Sequence, residues 1–228
     1  KLMHHWDEGF GYYGAARDND DYLASEIAGK CTADDTATPP VTCDRSKYFD
    51  TDGDDAIDLK WEYNFGHSQN AAKRDHGATV ATNFKGEVFD AFVAGRQLIN
   101  DAGATLTDDE FATLQGHRDI IVSGWEKAIA ATVVHYINDT LGDMEDFNTA
   151  DYSFSGHAKH WGEMKGFALG LQFNPRSPLT TEQFASVHTK FGNAPVLPGA
   201  VTADIEAYKV SLEEARDILG TAYGFETD

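Results

Sequence analysis

Long apolar runs are missing from this chain, and positive charge is scarce. No stretch reaches the roughly 18 apolar residues that span a bilayer. The most apolar one, residues 128–137, is broken by Thr132 and His135. A body that does not span a membrane follows. Lys and Arg number 18 against 38 Asp and Glu, a net charge of −20 at pH 7. A field of that sign repels phosphate backbones and anionic lipid, which argues against nucleic acid as a partner. It attracts metal ions and basic peptides. It also suits a salty medium, where screening makes acidic excess tolerable. Convincing period-two alternation of strand formers is absent as well. So are HExxH and GxSxG, which weighs against a metallopeptidase or a serine hydrolase.

Cysteine is nearly absent. The two present, Cys31 and Cys43, bracket the Thr/Asp/Pro-rich stretch CTADDTATPPVTC, which is a poor helix. A disulfide is expected there, closing a loop worth about 3 kcal/mol in the chain-entropy model; two free buried thiols are the alternative. The disulfide implies an oxidising compartment. The opening KLMHHWDEGF has neither a start Met nor a signal-peptide pattern. The expectation is therefore a piece of a longer exported precursor, whose upstream part would carry the signal or a lipid anchor.

What is present is mostly helical periodicity over 228 residues, 41% of them hydrophobic. That suffices for one substantial core. A short aromatic helix is predicted within 3–17, a long acidic loop over 18–57, and a helix from Ser68 to Asp101 stopped by Gly103. Thr107 and Glu110 make a capping box that starts a helix running toward Leu141. Further helices are predicted over 155–173, from a second capping box at Thr180 through His188, and over 202–222. The fold class is all-α: an antiparallel helical bundle over 1–228 as a single domain, with internal duplication and a long disulfide- and calcium-stapled loop.

The duplication is read from HWDEGFGY at 5–12 and HWGEMKGF at 160–167. His5/His160, Trp6/Trp161, Glu8/Glu163, Gly11/Gly166 and Tyr12/Phe167 fall at matching offsets. On a helix, residues three apart share a face. His5 with Glu8, and His160 with Glu163, could each address one ion, and a two-fold arrangement could bring the pairs together. Imidazole with carboxylate suits Fe, Zn or Cu better than calcium. The competing reading makes these structural His–Glu pairs beside core Trp anchors.

The second cation candidate is the loop that opens at Asp50. Asp50, Asp52, Asp54 and Asp58 occupy positions 1, 3, 5 and 9 of an EF-hand-like Ca²⁺ loop, with the Ala56 carbonyl at position 7. Three departures stand out: Asp55 replaces the usual glycine at position 6, Trp61 holds position 12 so that Glu62, counted with the ligands, arrives one residue late, and KYF precedes the loop where an entering helix is usual; a solvated acidic turn is the alternative. Five Asp within nine residues repel one another unless a cation intervenes. A structural Ca²⁺ that pins the long loop is expected.

HHWDEGFGYYGAARD, DTDGDDAIDLKWEYNFGHSQNAAKRD and KHWGEMKGFALGLQFNP together resemble DUF4856, a family of exported bacterial lipoproteins of unknown function, over nearly the whole chain. More remotely the chain is similar to imelysin-like proteins, two-bundle periplasmic or surface proteins linked to divalent-metal uptake. That resemblance implies a metal motif at His160 and Glu163, and at His5 and Glu8. Ala158 stands where the imelysin motif has glycine. The function expected is thus an exported or cell-surface metal-binding protein, in divalent-metal acquisition. The alternatives are a structural or adhesive extracellular module stabilised by calcium and, trailing, a metallopeptidase.

Overall fold

The computed structural model describes residues 1–225. Among the described residues there are eight α-helices and one 3₁₀ turn, and no strand forms beyond two isolated bridges, Asp34 with Val41 and Tyr48 with Tyr63. The chain is all-helical, and among the described residues no helix is long and apolar enough to cross a membrane. It divides into two compact units, Lys1–Ala128 and Ile129–Asp228.

The first unit holds α1 (Leu2–Tyr13), α2 (Ala24–Ala28), α3 (Gly66–Gly77), α4 (Phe84–Ala102) and the opening of α5 (Asp108–Glu145). Helix α1 docks on α4 through aromatic rings: Phe10 meets Phe89 and Phe92, and Tyr13 meets Phe92 and Trp125. The Trp6 indole N–H donates to the Phe92 carbonyl at 2.8 Å. Gly95 provides the room, since a Cβ there would stand 2.1 Å from Trp6 Cζ2. Gly14 ends α1 at φ 78°, in the left-handed region that glycine enters without steric cost. Its carbonyl then receives the Phe65 N–H and the buried Ser68 hydroxyl.

The periodicity predicts one helix over 68–101; the structure has two. The break at 78–83 follows from Asp75, whose carboxylate accepts the N–H groups of Phe84 and Lys85, both at 2.8 Å, and the Thr82 hydroxyl. These are first-turn donors of α4 that no helical carbonyl can satisfy. A side chain of α3 thus starts α4.

The long 18–57 segment contains a 3₁₀ turn, Asn19–Asp21, and the five-residue α2. It is tied down by buried polar groups. Glu26 (4% exposed) accepts the backbone N–H of Leu23 and of Arg45. The Arg45 guanidinium pairs with Asp18 and Asp21 and lies over the Tyr22 and Phe49 rings. Buried Asn64 accepts from Ala16 N–H and from the Asn19 amide. The expected disulfide, Cys31–Cys43, is present.

The second unit holds the rest of α5 with α6 (Phe154–Gly170), α7 (Thr181–Phe191) and α8 (Thr202–Tyr223). Its core joins Val133, Ile137 and Met144 of α5, Met164 and Ala168 of α6, Val187 and Phe191 of α7, and Leu212, Ala215 and Leu219 of α8. Both predicted capping boxes form. Glu110 accepts from Thr107 N–H at 2.7 Å, and Thr180 and Gln183 bond reciprocally. Trp161 anchors α6 as Trp6 anchors α1: its indole N–H lies 3.2 Å from the Phe191 carbonyl and 2.9 Å from the Tyr208 hydroxyl.

Candidate metal centre

The loop at Asp50 is built on backbone donors. Asp50 accepts the N–H groups of Gly53 (2.8 Å), Asp54 (3.2 Å) and Asp55 (2.9 Å), which curls positions 4 to 6 around position 1. Asp55 takes φ 64°, the left-handed conformation usual for glycine at this place. Aspartate tolerates that conformation better than most residues. Asp54 Oδ1 is engaged by the Ala56 N–H and Asp58 Oδ1 by the Lys60 N–H, so both also serve local turns.

Glu62 closes the loop from the far side. It is 1% exposed, the most buried carboxylate of the segment. Oε1 accepts the Thr51 N–H at 2.8 Å and the Asp52 N–H at 3.4 Å, and Oε2 accepts the Asp58 N–H at 2.8 Å. Asp50, Asp52 and Glu62 each bring a carboxylate oxygen within 4.8 Å of the others. Glu62 comes one residue late in sequence, yet it lies beside positions 1 and 3. Every carboxylate oxygen has a second lone pair, so accepting an N–H leaves room for a cation. An oxygen-only donor set suits a hard ion. The Asp52 carboxyl is pushed above its ordinary value by desolvation, reinforced by the neighbouring charges of Asp54, Glu62 and Asp50. Ala56, Asp54 and Asp58 lie on the same loop but outside this triad.

The His-Trp-x-Glu units differ in their hydrogen bonding. On α1, His5 Nδ1 is 3.1 Å and His4 Nε2 3.4 Å from Glu8, all three exposed. The His5 bond, then the His4 charge, hold the Glu8 carboxyl below its usual range. On α6, His160 is bonded across to α5: Nδ1 is 2.8 Å from Asp143 Oδ2, and Nε2 is 3.9 Å from Asp139 Oδ2. Glu163, three residues on, has a buried Oε2 without a hydrogen-bond partner. His5 with Glu8 belongs to the first unit, His160 with Glu163 to the second. Sequence reasoning overlooked Asp139, Asp143 and His135, whose Nε2 lies 3.3 Å from Asp139 Oδ2. The signal was available: 135, 139 and 143 recur every fourth residue, along one helical face.

His157, one turn before His160, is fully buried, and neither ring nitrogen has a hydrogen-bond partner. It stacks on Phe147 and meets Tyr152 edge-on. Burial, opposed by Asp143 and aided by His160, lowers its pKa below the ordinary 6.5. The unfolded chain therefore takes up a proton near pH 6.5 that the folded chain refuses. Stability should be complete above that pH and fall as pH drops toward the folded value, by at most about 1.4 kcal/mol per pH unit. Urea unfolding at pH 7.5 and 5.5 should show a smaller acid loss in His157→Phe than in wild type. Equal losses would exclude His157 as a source.

Comparison with family models, with curated proteins and with solved structures finds no match.

Proposed function

We propose that this is an exported, non-catalytic metal-binding protein of the DUF4856 and imelysin-like kind, in divalent-metal handling at the cell surface or periplasm, with a structural Ca²⁺ in the 50–62 loop. The observation that carries the cation part is the meeting of Asp50, Asp52 and buried Glu62. The disulfide supports an oxidising compartment, and the acidic charge favours cations over polyanions. Asp50, Asp52 and Glu62 would hold Ca²⁺, with loop carbonyls, Asp54, Asp58 and water available to complete an oxygen shell of six to eight. The bound ion would supply charge neutralisation, joining the long loop to the turn before α3. An internal duplication of an antiparallel bundle is supported by the matched indole anchors, Trp6 on the Phe92 carbonyl and Trp161 on that of Phe191.

Those same anchors favour a second reading, a structural or adhesive extracellular module in which the His-Trp-x-Glu units serve packing alone. Terbium titration tests the calcium site, because Trp61 adjoins Glu62 and can sensitise the lanthanide. The expected result is saturable luminescence that Ca²⁺ displaces and that the Asp50→Asn, Asp52→Asn double variant loses. Luminescence unchanged in that variant would remove the site.

A further inference from the structure

Helices α1 and α4 and the turn after α1 enclose a cleft of about 460 Å³, wholly within the first unit. Small-molecule sites occupy about 300–1,000 Å³ and combine an apolar, aromatic lining with a few placed polar groups. Here the aromatic part is Trp6 and Phe10 from α1 with Phe89 and Phe92 from α4. Trp6 and Phe10 both meet Phe92 edge-on, at 6.1 and 5.6 Å between ring centroids. The indole is pinned to the Phe92 carbonyl at 2.8 Å, so this wall is set before anything binds. The polar part reverses the sign of the chain. Arg17 and Arg96 line the cleft against one carboxylate, Asp7, in a protein of net charge −20. Arg96 Nε donates to Asp7 Oδ1 at 2.7 Å, and among the described residues its terminal nitrogens have no other partner. Arg17 has no carboxylate partner among the described residues; its guanidinium lies 5.8 Å from the centre of the Trp61 ring. Gln97 and Asn100 turn their amide groups to Asp101. The charged donors left for a ligand are those of the two guanidinium groups.

We propose that this cleft binds a small aromatic monocarboxylate, its ring against Trp6, Phe10 and Phe92 and its carboxylate on Arg17, with Arg96 as the second cation. Guanidinium groups are charged at any working pH and present a planar fork that matches a carboxylate. Two of them against Asp7 leave an excess of one positive charge, which suits a monoanion better than a phosphate monoester carrying nearly two negative charges. A cationic ligand would meet that excess unfavourably. Rings on the ligand gain edge-to-face or offset contacts that an aliphatic chain does not. The cleft takes Trp6 and no His or Glu from the first His-Trp-x-Glu unit and nothing from the 50–62 loop. It stands or falls separately from metal binding.

The test is calorimetric titration of the full chain with 2-naphthoate, 2-naphthalenemethanol and 2-naphthylmethylammonium. The Trp6 indole NMR signal reports position, and circular dichroism checks folding. Naphthoate should bind one to one and shift the Trp6 signal. The alcohol should bind about 10–100-fold more weakly, as expected for loss of a hydrogen bond to a charged group, and the ammonium compound not at all. Arg17→Gln should weaken naphthoate by the same factor and leave the alcohol unchanged. Arg96→Gln should also weaken naphthoate, because it leaves Asp7 unneutralised. Arg118→Gln, on α5 and outside the cleft, should titrate as wild type. If Arg96→Gln fails to fold, exposed Arg17→Gln decides the matter. Absence of naphthoate binding by wild type at millimolar concentration overturns the proposal. So does equal affinity for acid and alcohol, an unmoved Trp6 signal, or naphthoate affinity unchanged in Arg17→Gln.

Discussion

Glu62→Ala should lower stability by roughly 3–5 kcal/mol and abolish any calcium dependence of unfolding. The first part follows from the bonds removed. The buried carboxylate holds the N–H groups of Thr51 and Asp58 at 2.8 Å, with Asp52 at 3.4 Å. Hydrogen bonds to a charged group contribute about 1.5–3 kcal/mol each, and donors left unsatisfied add a desolvation penalty. The second part follows from linkage. A ligand present at 100 times its Kd stabilises the folded state by about 2.7 kcal/mol, and that increment vanishes with the site. Asp54→Asn, at an exposed position, should change stability little. Urea unfolding of the three proteins, with calcium and with chelator, checks both parts. A calcium-dependent shift that survives in Glu62→Ala would disprove the assignment of Glu62.

Gly95→Ala is the second large expected effect, and it runs against helix propensity. Alanine is better than glycine inside a helix by about 0.8–1.0 kcal/mol. Here the new Cβ would sit 2.1 Å from Trp6 Cζ2, 2.6 Å from Cη2 and 2.9 Å from Cε2. The indole cannot slide away cheaply, because its N–H is bonded to Phe92 O at 2.8 Å and its ring meets Phe92 edge-on. Expelling it forfeits an aromatic anchor, on the scale of the 3–5 kcal/mol lost when a core Trp becomes Ala. The net expectation is a loss of about 2–4 kcal/mol. Gly116→Ala on α5, where a Cβ meets nothing within 4 Å, should instead stabilise by about 1 kcal/mol. Thermal unfolding of both, with the Trp6 indole NMR signal as a local reporter, distinguishes them. In a Trp6→Leu background the Gly95 change should become nearly neutral, since residues in contact are not additive. A full penalty in that background would mean that the clash lies elsewhere.

The helices from α5 onward were the most legible part of the sequence. Their apolar residues recur every three to four positions, and Thr107 and Thr180 mark two starts with capping boxes that form as read. The single helix expected over 68–101 was less so. Its break depends on Asp75 reaching Phe84 and Lys85, nine and ten residues away, and no local window contains that. In the loop, the Asp spacing and Glu62 as a candidate ligand were both visible, but the burial of Glu62 and its three backbone donors were not. Its delay of one residue reads as a defect in one dimension and places it beside Asp50 and Asp52 in three. The partners of His160 were hidden for the opposite reason. The doubled motif drew attention along α6 to Glu163, whereas a half-buried ring bonds to whatever the neighbouring helix presents, here Asp143.

The Cys31–Cys43 bridge also governs what proteolysis does to the molecule. The residues it encloses are mostly exposed, irregular and rich in Thr, Asp and Pro. Exposed irregular backbone is where proteases cut. A single cut between the two cysteines leaves both fragments joined through sulfur. The chain would remain one covalent piece, with the Arg45 and Glu62 ties on one side of the cut and α1 on the other. Such a nick would stay silent on a non-reducing gel and appear only when a reductant is added, so the segment can be severed without the protein coming apart.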